Sequence, residues 1–191
     1  MRTLVVSDLH LGTRLGTDVL RVAAQRAALL DALADCQRLV LLGDLLELRH
    51  GPLRQALDAA REPLAQIGAA LGPGSEVVVL AGNHDHALLD GWRARADLSP
   101  EAAELGAERP VDWLDTDALA AVARLLSPAA VRAAYPGVWL REDVYATHGH
   151  YLDLHLTVPT LERLATGVMR RVVALDGAGP GRAEDYETVL A

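Results

Sequence analysis

Four short polar clusters carry residue types that together suit a metal ion: Asp8-Leu9-His10, Gly43-Asp44, Gly82-Asn83-His84-Asp85 and His148-Gly149-His150. Carboxylate, imidazole and amide oxygen form the ligand set of a hard or borderline divalent ion such as Mn²⁺, Fe²⁺ or Zn²⁺. No thiolate takes part, which argues against a structural zinc site. Asp8 and His10 are two residues apart, and a persisting strand would point both side chains to one side. Glycines at 43, 82 and 149 suit sharp turns and close backbone approach. Asn83 is the one Asn of the 191-residue chain. Its amide offers a neutral oxygen ligand, where Asp would add a charge. Taken singly, each residue fits a turn or a solvated strand end equally well, and Asn83 fits a left-handed turn. Their joint placement carries the metal reading.

The elements around the clusters should bring them together. Residues 2–6 read as a short buried strand. A helix capped by Thr17 runs to about Asp35, with Val19, Val22, Ala23, Leu29, Leu30 and Leu33 at helical spacing. Arg38 to Leu42 is a second strand, and Pro52 opens a helix that ends at Gly72-Pro73-Gly74. Glu76 to Leu80 is a third strand. Strand–loop–helix units in succession imply a parallel α/β sheet with right-handed crossovers, whose ligands bind at the carboxyl ends of the strands. From 86 to 135 the chain turns Ala-, Asp- and Glu-rich, punctuated by Pro100, Pro110 and Pro128, and reads as a helical insertion with a Ser127-Pro128 helix start. Val138–Leu140 and Val144–Thr147 read as two strands joined at Arg141-Glu142-Asp143. Pro159 opens a further helix to about Leu175, after which 176–191 reads as a linker and the start of another helix.

Composition narrows the function classes. With 18 basic and 26 acidic residues the net charge is −8, so there is no basic excess to neutralise nucleic-acid phosphates. Trp92, Trp113 and Trp139 are too scattered for a base-stacking platform. No run approaches the ~18–20 apolar residues of a membrane span, and the N-terminus lacks signal-peptide character. The lone Cys36 reads as a small buried residue and fits a cytoplasmic location. His50 and His86 read as exposed or helix-start residues.

In this order and in these strand contexts, the clusters resemble the calcineurin-like metallophosphoesterases, whose pattern runs D-x-H, G-D, G-N-H-D/E, H and lastly G-H-x-H. The likeness covers about residues 1–155. It implies a layered α/β/β/α sandwich over residues 1–175 and a site for two divalent ions, with Asp8 and His10 on one, Asp44 bridging, and Asn83 and His148 on the other. It further implies attack of a metal-held hydroxide on a small phosphate ester or pyrophosphate, with His84 giving a proton or hydrogen bond to the leaving oxygen. Asp85 would orient an imidazole. Asp8-Leu9-His10-Leu11 and Gly43-Asp44-Leu45-Leu46-Glu47 look closest to the branch that includes UDP-2,3-diacylglucosamine pyrophosphohydrolases, although that branch has Arg in place of His84 and a carboxylate in place of His150. The protein Ser/Thr phosphatase branch carries Asp-Arg where Glu47-Leu48 stands.

The last motif departs from the family. Gly149-His150-Tyr151-Leu152 does not match G-H-x-H, and no His follows His155. Three readings stay open: a chain cut before that motif, His150 or His155 standing in as a ligand, or a degenerate site. The third leads to a different class of function, a non-catalytic scaffold on the same fold. Metal content separates the two.

Overall fold

The apolar runs expected as parallel strands are parallel strands in the computed structural model, which describes residues 1–14, 16, 18–96, 105–112 and 116–152. Strands β1 (Thr3–Val6), β2 (Arg38–Leu42) and β3 (Glu76–Leu80) pair in register, Thr3 opposite Arg38 and Arg38 opposite Glu76. Helices α1 (Ala23–Leu33) and α2 (Leu53–Leu71) connect them. β1 is an edge strand whose Val5 is exposed, whereas β2 and β3 are almost wholly buried.

Alternation along β2 and β3 builds two apolar faces. Leu39, Leu41, Val77 and Val79 pack with Leu33 of α1 and with Ala60, Leu64 and Ile67 of α2. Val40, Val78 and Leu80 face the other way and pack with Val138. Fully burying a Leu of this kind contributes about 1.5–3 kcal/mol.

The stretch expected as a helical insertion is only partly helical. A 3₁₀ turn at His86–Leu89 leads into the short α3 (Asp90–Arg93), and α4 (Asp117–Leu125) is capped by Thr116, whose side chain accepts from the Leu119 N–H. Between and after them lie β4 (Glu108–Val111) and β5 (Ala130–Arg141). β5 pairs parallel with β3 through Ala130–Ala133 and antiparallel with β4. Ser127-Pro128 therefore starts no helix, because the residues after it complete the open edge of β3. Tertiary pairing overrides the helix preference of an Ala-rich segment. Pro110 sits on β4, at the end of the strand order β1-β2-β3-β5-β4, where a missing N–H is tolerated. The far half of β5 turns back with β6 (Val144–Thr147), and Val138, Leu140 and Ala146 cover the second face. A helical layer, the main sheet and the start of a second sheet are thus present in a mixed α/β fold, as the layered sandwich requires.

α1 also differs from expectation. A 3₁₀ turn at Val19–Arg21 precedes it, and Val19 and Val22 are exposed, so Leu29, Leu30 and Leu33 alone of the expected aliphatic stripe meet the core. Asp18 organises the turn by accepting from the Arg21 guanidinium at 3.0 Å and from the Gly12 N–H at 3.3 Å. Cys36 is buried as expected. Thr17, Trp113, His155 and the helices expected from Pro159 onward lie outside the described residues.

Candidate metal centre

The loops after β1 and β2 continue the sheet's pairing past the strands. Asp8 N–H donates to Gly43 O, His10 N–H to Asp44 O and Leu11 N–H to Leu45 O, at 3.2, 2.8 and 2.9 Å. Strand geometry does not persist through Asp8 and His10, contrary to the sequence expectation. Both have left-handed backbone, with φ of 58° and 45°, as does Asp44 with φ of 53°. They are the non-glycine residues with positive φ among the described residues. Such backbone costs free energy and gathers at functional sites; here it turns side chains two residues apart toward one point.

At that point four donor atoms face one another in alternation. His10 Nε2 lies 3.8 Å from Asp8 Oδ1 and 3.7 Å from Asp44 Oδ2. His148 Nε2 lies 3.8 Å from Asp8 Oδ1 and 3.6 Å from Asp44 Oδ2. The other oxygen of each carboxylate is held by a protein donor: Ser7 Oγ donates to Asp8 Oδ2 at 2.5 Å, and His84 N–H to Asp44 Oδ1 at 2.8 Å. Bonds of about 2.1 Å at tetrahedral angles would put neighbouring donors about 3.4 Å apart, so a modest contraction would let Asp8, His10 and Asp44, whose donor atoms all lie within 4.8 Å of one another, share a divalent cation. His148 thus reaches Asp8 as well as Asp44. Asn83 is buried between Gly82 and His84, whose N–H groups go to Asp85 and Asp44. The cradle admits no extra atoms. A Cβ at Gly82 would overlap the Asp44 carboxylate, and one at Gly43 would overlap the His148 ring.

Asp85 takes a different part from the one expected. Its carboxylate accepts backbone N–H groups from Asp44, Leu45, Leu46 and Gly82, at 3.2, 2.7, 3.1 and 2.7 Å, rather than a proton from an imidazole among the described residues. It therefore clamps the Gly43-Asp44 loop to the loop after β3. Burial pushes its carboxyl up to about 7, the negative charge of Asp44 adds to the rise, and the N–H bonds oppose it.

The carboxylate that meets imidazoles is Glu47, which the sequence reading used only as a branch marker. It is buried, and its Oε2 lies 2.8 Å from His84 Nδ1, 3.4 Å from His10 Nδ1 and 3.7 Å from His50 Nδ1. The signal was present in the sequence as one acid inside the apolar run Leu45-Leu46-Glu47-Leu48. His50 is half-buried, with Nδ1 3.2 Å from Thr13 Oγ1. A cleft of about 230 Å³ opens beside the cluster, lined among others by Asp8, His10, Thr13, Glu47 and His50.

His150 is buried and does not join the four donors. Its Nδ1 lies 2.7 Å from His148 Nδ1, and burial, aided by His148, pushes its imidazole down to about 3, so the ring is neutral near pH 7. His86 opens its 3₁₀ turn half-buried, and burial lowers its imidazole too.

No helix among the described residues is long and apolar enough to cross a membrane. Comparison with curated proteins and with solved structures gives no significant match. A model of the calcineurin-like phosphoesterase family matches residues 1–180, which spans all four clusters. Members of that family bind divalent metals and hydrolyse phosphoesters, and the donor set built here is of the kind such chemistry needs. The chain belongs to the calcineurin-like phosphoesterase family.

Proposed function

We propose that the chain is a dinuclear-metal phosphohydrolase that cleaves a phosphomonoester, phosphodiester or pyrophosphate bond of a small molecule. One observation carries the reading: one oxygen each of Asp8 and Asp44 faces both His10 Nε2 and His148 Nε2, on backbone strained to aim them. Asp8 and His10 would hold one ion and Asn83 and His148 the other, with Asp44, whose Oδ2 faces both imidazoles, shared between them. Two divalent ions, from among Mn²⁺, Fe²⁺ and Zn²⁺, would supply Lewis acidity toward the phosphoryl oxygens and activate the attacking water.

The chain's own residues do the rest. Glu47 fixes His10 and His84 through their Nδ1 atoms, which leaves Nε2 of each for the site. Protonated His84 donates Nδ1–H to Glu47 and keeps Nε2–H for the departing oxygen, so bond cleavage releases an alcohol or phosphate rather than an alkoxide. The cleft beside Asp8 and His10 gives the leaving group room.

The test is phosphate release from p-nitrophenyl phosphate, and p-nitrophenol release from its bis ester, with added Mn²⁺, Fe²⁺ or Zn²⁺. Metal-dependent turnover supports the proposal; inactivity with every metal overturns it. A scaffold on the same fold would purify from chelator-free buffers without transition metal, whereas the proposed enzyme carries it in near-stoichiometric amount.

A further inference from the structure

His150 has no part in the chemistry so far, yet its contact with His148 constrains how His148 can act. The 3₁₀ turn Gly149–Tyr151 follows β6 directly, held by Tyr151 N–H to His148 O at 3.2 Å, and it folds His150 back under His148. The two Nδ1 atoms are 2.7 Å apart, and His150 is 2% exposed, packed against Tyr151 with ring centroids 3.8 Å apart and planes tilted by 38°. An N···N contact this short needs one proton between the rings, with one nitrogen donating and the other accepting. His148 Nε2 faces Asp8 and Asp44. A metal ligand must offer a lone pair at that atom, which puts the proton of neutral His148 on Nδ1.

We propose that His150 is a positioning residue for the metal centre: its Nδ1 accepts the Nδ1 proton of His148, fixing the ring orientation and tautomer that turn His148 Nε2 toward the metal. This rests on the reading of Asp8, His10, Asp44 and His148 as a metal site and adds a residue to it. It also answers one reading of the incomplete last motif, because His150 supports a ligand and is not one. The partner here is an imidazole rather than a carboxylate, so His148 is oriented without a further acidic side chain in a pocket that already holds Asp8, Asp44, Glu47 and Asp85.

The test uses the full chain and Co²⁺ as probe, followed by its visible absorption and by calorimetry. His150→Phe keeps the ring and its packing against Tyr151 but cannot accept a proton, whereas His150→Asn restores an acceptor oxygen. His150→Phe should bind Co²⁺ about 10–100-fold more weakly than wild type with an altered absorption band, and His150→Asn should recover most of the affinity. In the Zn²⁺-loaded wild type, ¹⁵N–¹H correlation spectra should show the proton on His148 Nδ1 and none on His150 Nδ1. Equal Co²⁺ affinity and absorption in wild type and His150→Phe overturn the positioning role and leave the metal site standing. A proton or a metal on His150 Nδ1 overturns it as well, including where a variant fails to fold. A wild type that takes up no Co²⁺ removes the metal reading itself.

Discussion

Glu47 Oε2 and His84 Nδ1 lie 2.8 Å apart although 37 residues separate them in the chain. The same oxygen lies 3.4 Å from Nδ1 of His10, whose other nitrogen faces Asp8 and Asp44. The rings of His10 and His84 meet edge to face, with centroids 4.6 Å apart. One buried carboxylate thus ties an imidazole that faces Asp8 and Asp44 to the imidazole that would serve the leaving group. A displacement of Glu47 cannot leave either role untouched.

The leaving group tests His84. p-Nitrophenolate departs readily without a proton, whereas an alkoxide does not. His84→Ala should therefore lose about 10²–10⁴-fold in kcat on an alkyl phosphate and far less on p-nitrophenyl phosphate, with metal content unchanged. Glu47→Gln, which keeps an acceptor but removes the charge, should lose less than His84→Ala on both substrates. Steady-state kinetics alongside elemental analysis reads this; equal losses on both leaving groups would remove His84 from the proton-donor role.

Asp44 tests the shared centre. Its Oδ2 faces His10 and His148 while Oδ1 holds the His84 N–H. Asp44→Asn keeps the volume and can still accept from His84, but it puts a neutral amide group where two imidazoles and a carboxylate converge. The variant should fold and lose all bound transition metal together, rather than one equivalent of two. Metal analysis after purification without chelator checks this, and retention of one equivalent would contradict the bridging role.

The sequence made some of this legible, and physics explains which parts. β2, β3 and the helix opened by Pro52 announce themselves by local period and by Gly and Pro at their ends. The ligand clusters are legible because polar residues interrupt apolar runs at strand ends. The first half of β5 is not, since Ala130-Val131-Arg132-Ala133-Ala134 has no strand pattern and is decided by the edge of β3. Glu47 is hidden for a related reason: its meaning lies in contacts with residues far along the chain. Asp85 was legible as a supporting residue but not in what it supports, because backbone N–H groups carry no sequence identity.

Tyr145 offers a measure of the β5–β6 hairpin away from the site. Its hydroxyl donates to Ala107 O at 2.7 Å, beside the Trp139 indole N–H that donates to Gly106 O at 3.0 Å, and together they fasten the turn before β4. Burial raises the phenol above its ordinary pKa of 10. The folded state therefore holds the proton more tightly than the unfolded chain. That contribution is fully present below pH 10 and is lost as pH rises through the folded-state value. Tyr145→Phe should cost about 1 kcal/mol at neutral pH, and the gap to wild type should narrow above pH 10. Urea unfolding at pH 7 and in the alkaline range measures both.

Asp85 should matter for the fold as much as for the centre. Its two oxygens satisfy four backbone N–H groups, on Asp44, Leu45, Leu46 and Gly82, in full burial. Asn at this position keeps one acceptor oxygen and turns an NH₂ group toward the other two donors, so two N–H groups are left buried without an acceptor. Each such group costs about 1–3 kcal/mol, which predicts a loss of about 2–6 kcal/mol for Asp85→Asn and a lower urea midpoint at unchanged slope. Since the same bonds hold Asp44 in its left-handed conformation, affinity for divalent metal should fall in parallel. A variant as stable as wild type would show that the loop is held by its pairing with residues 8–11 alone.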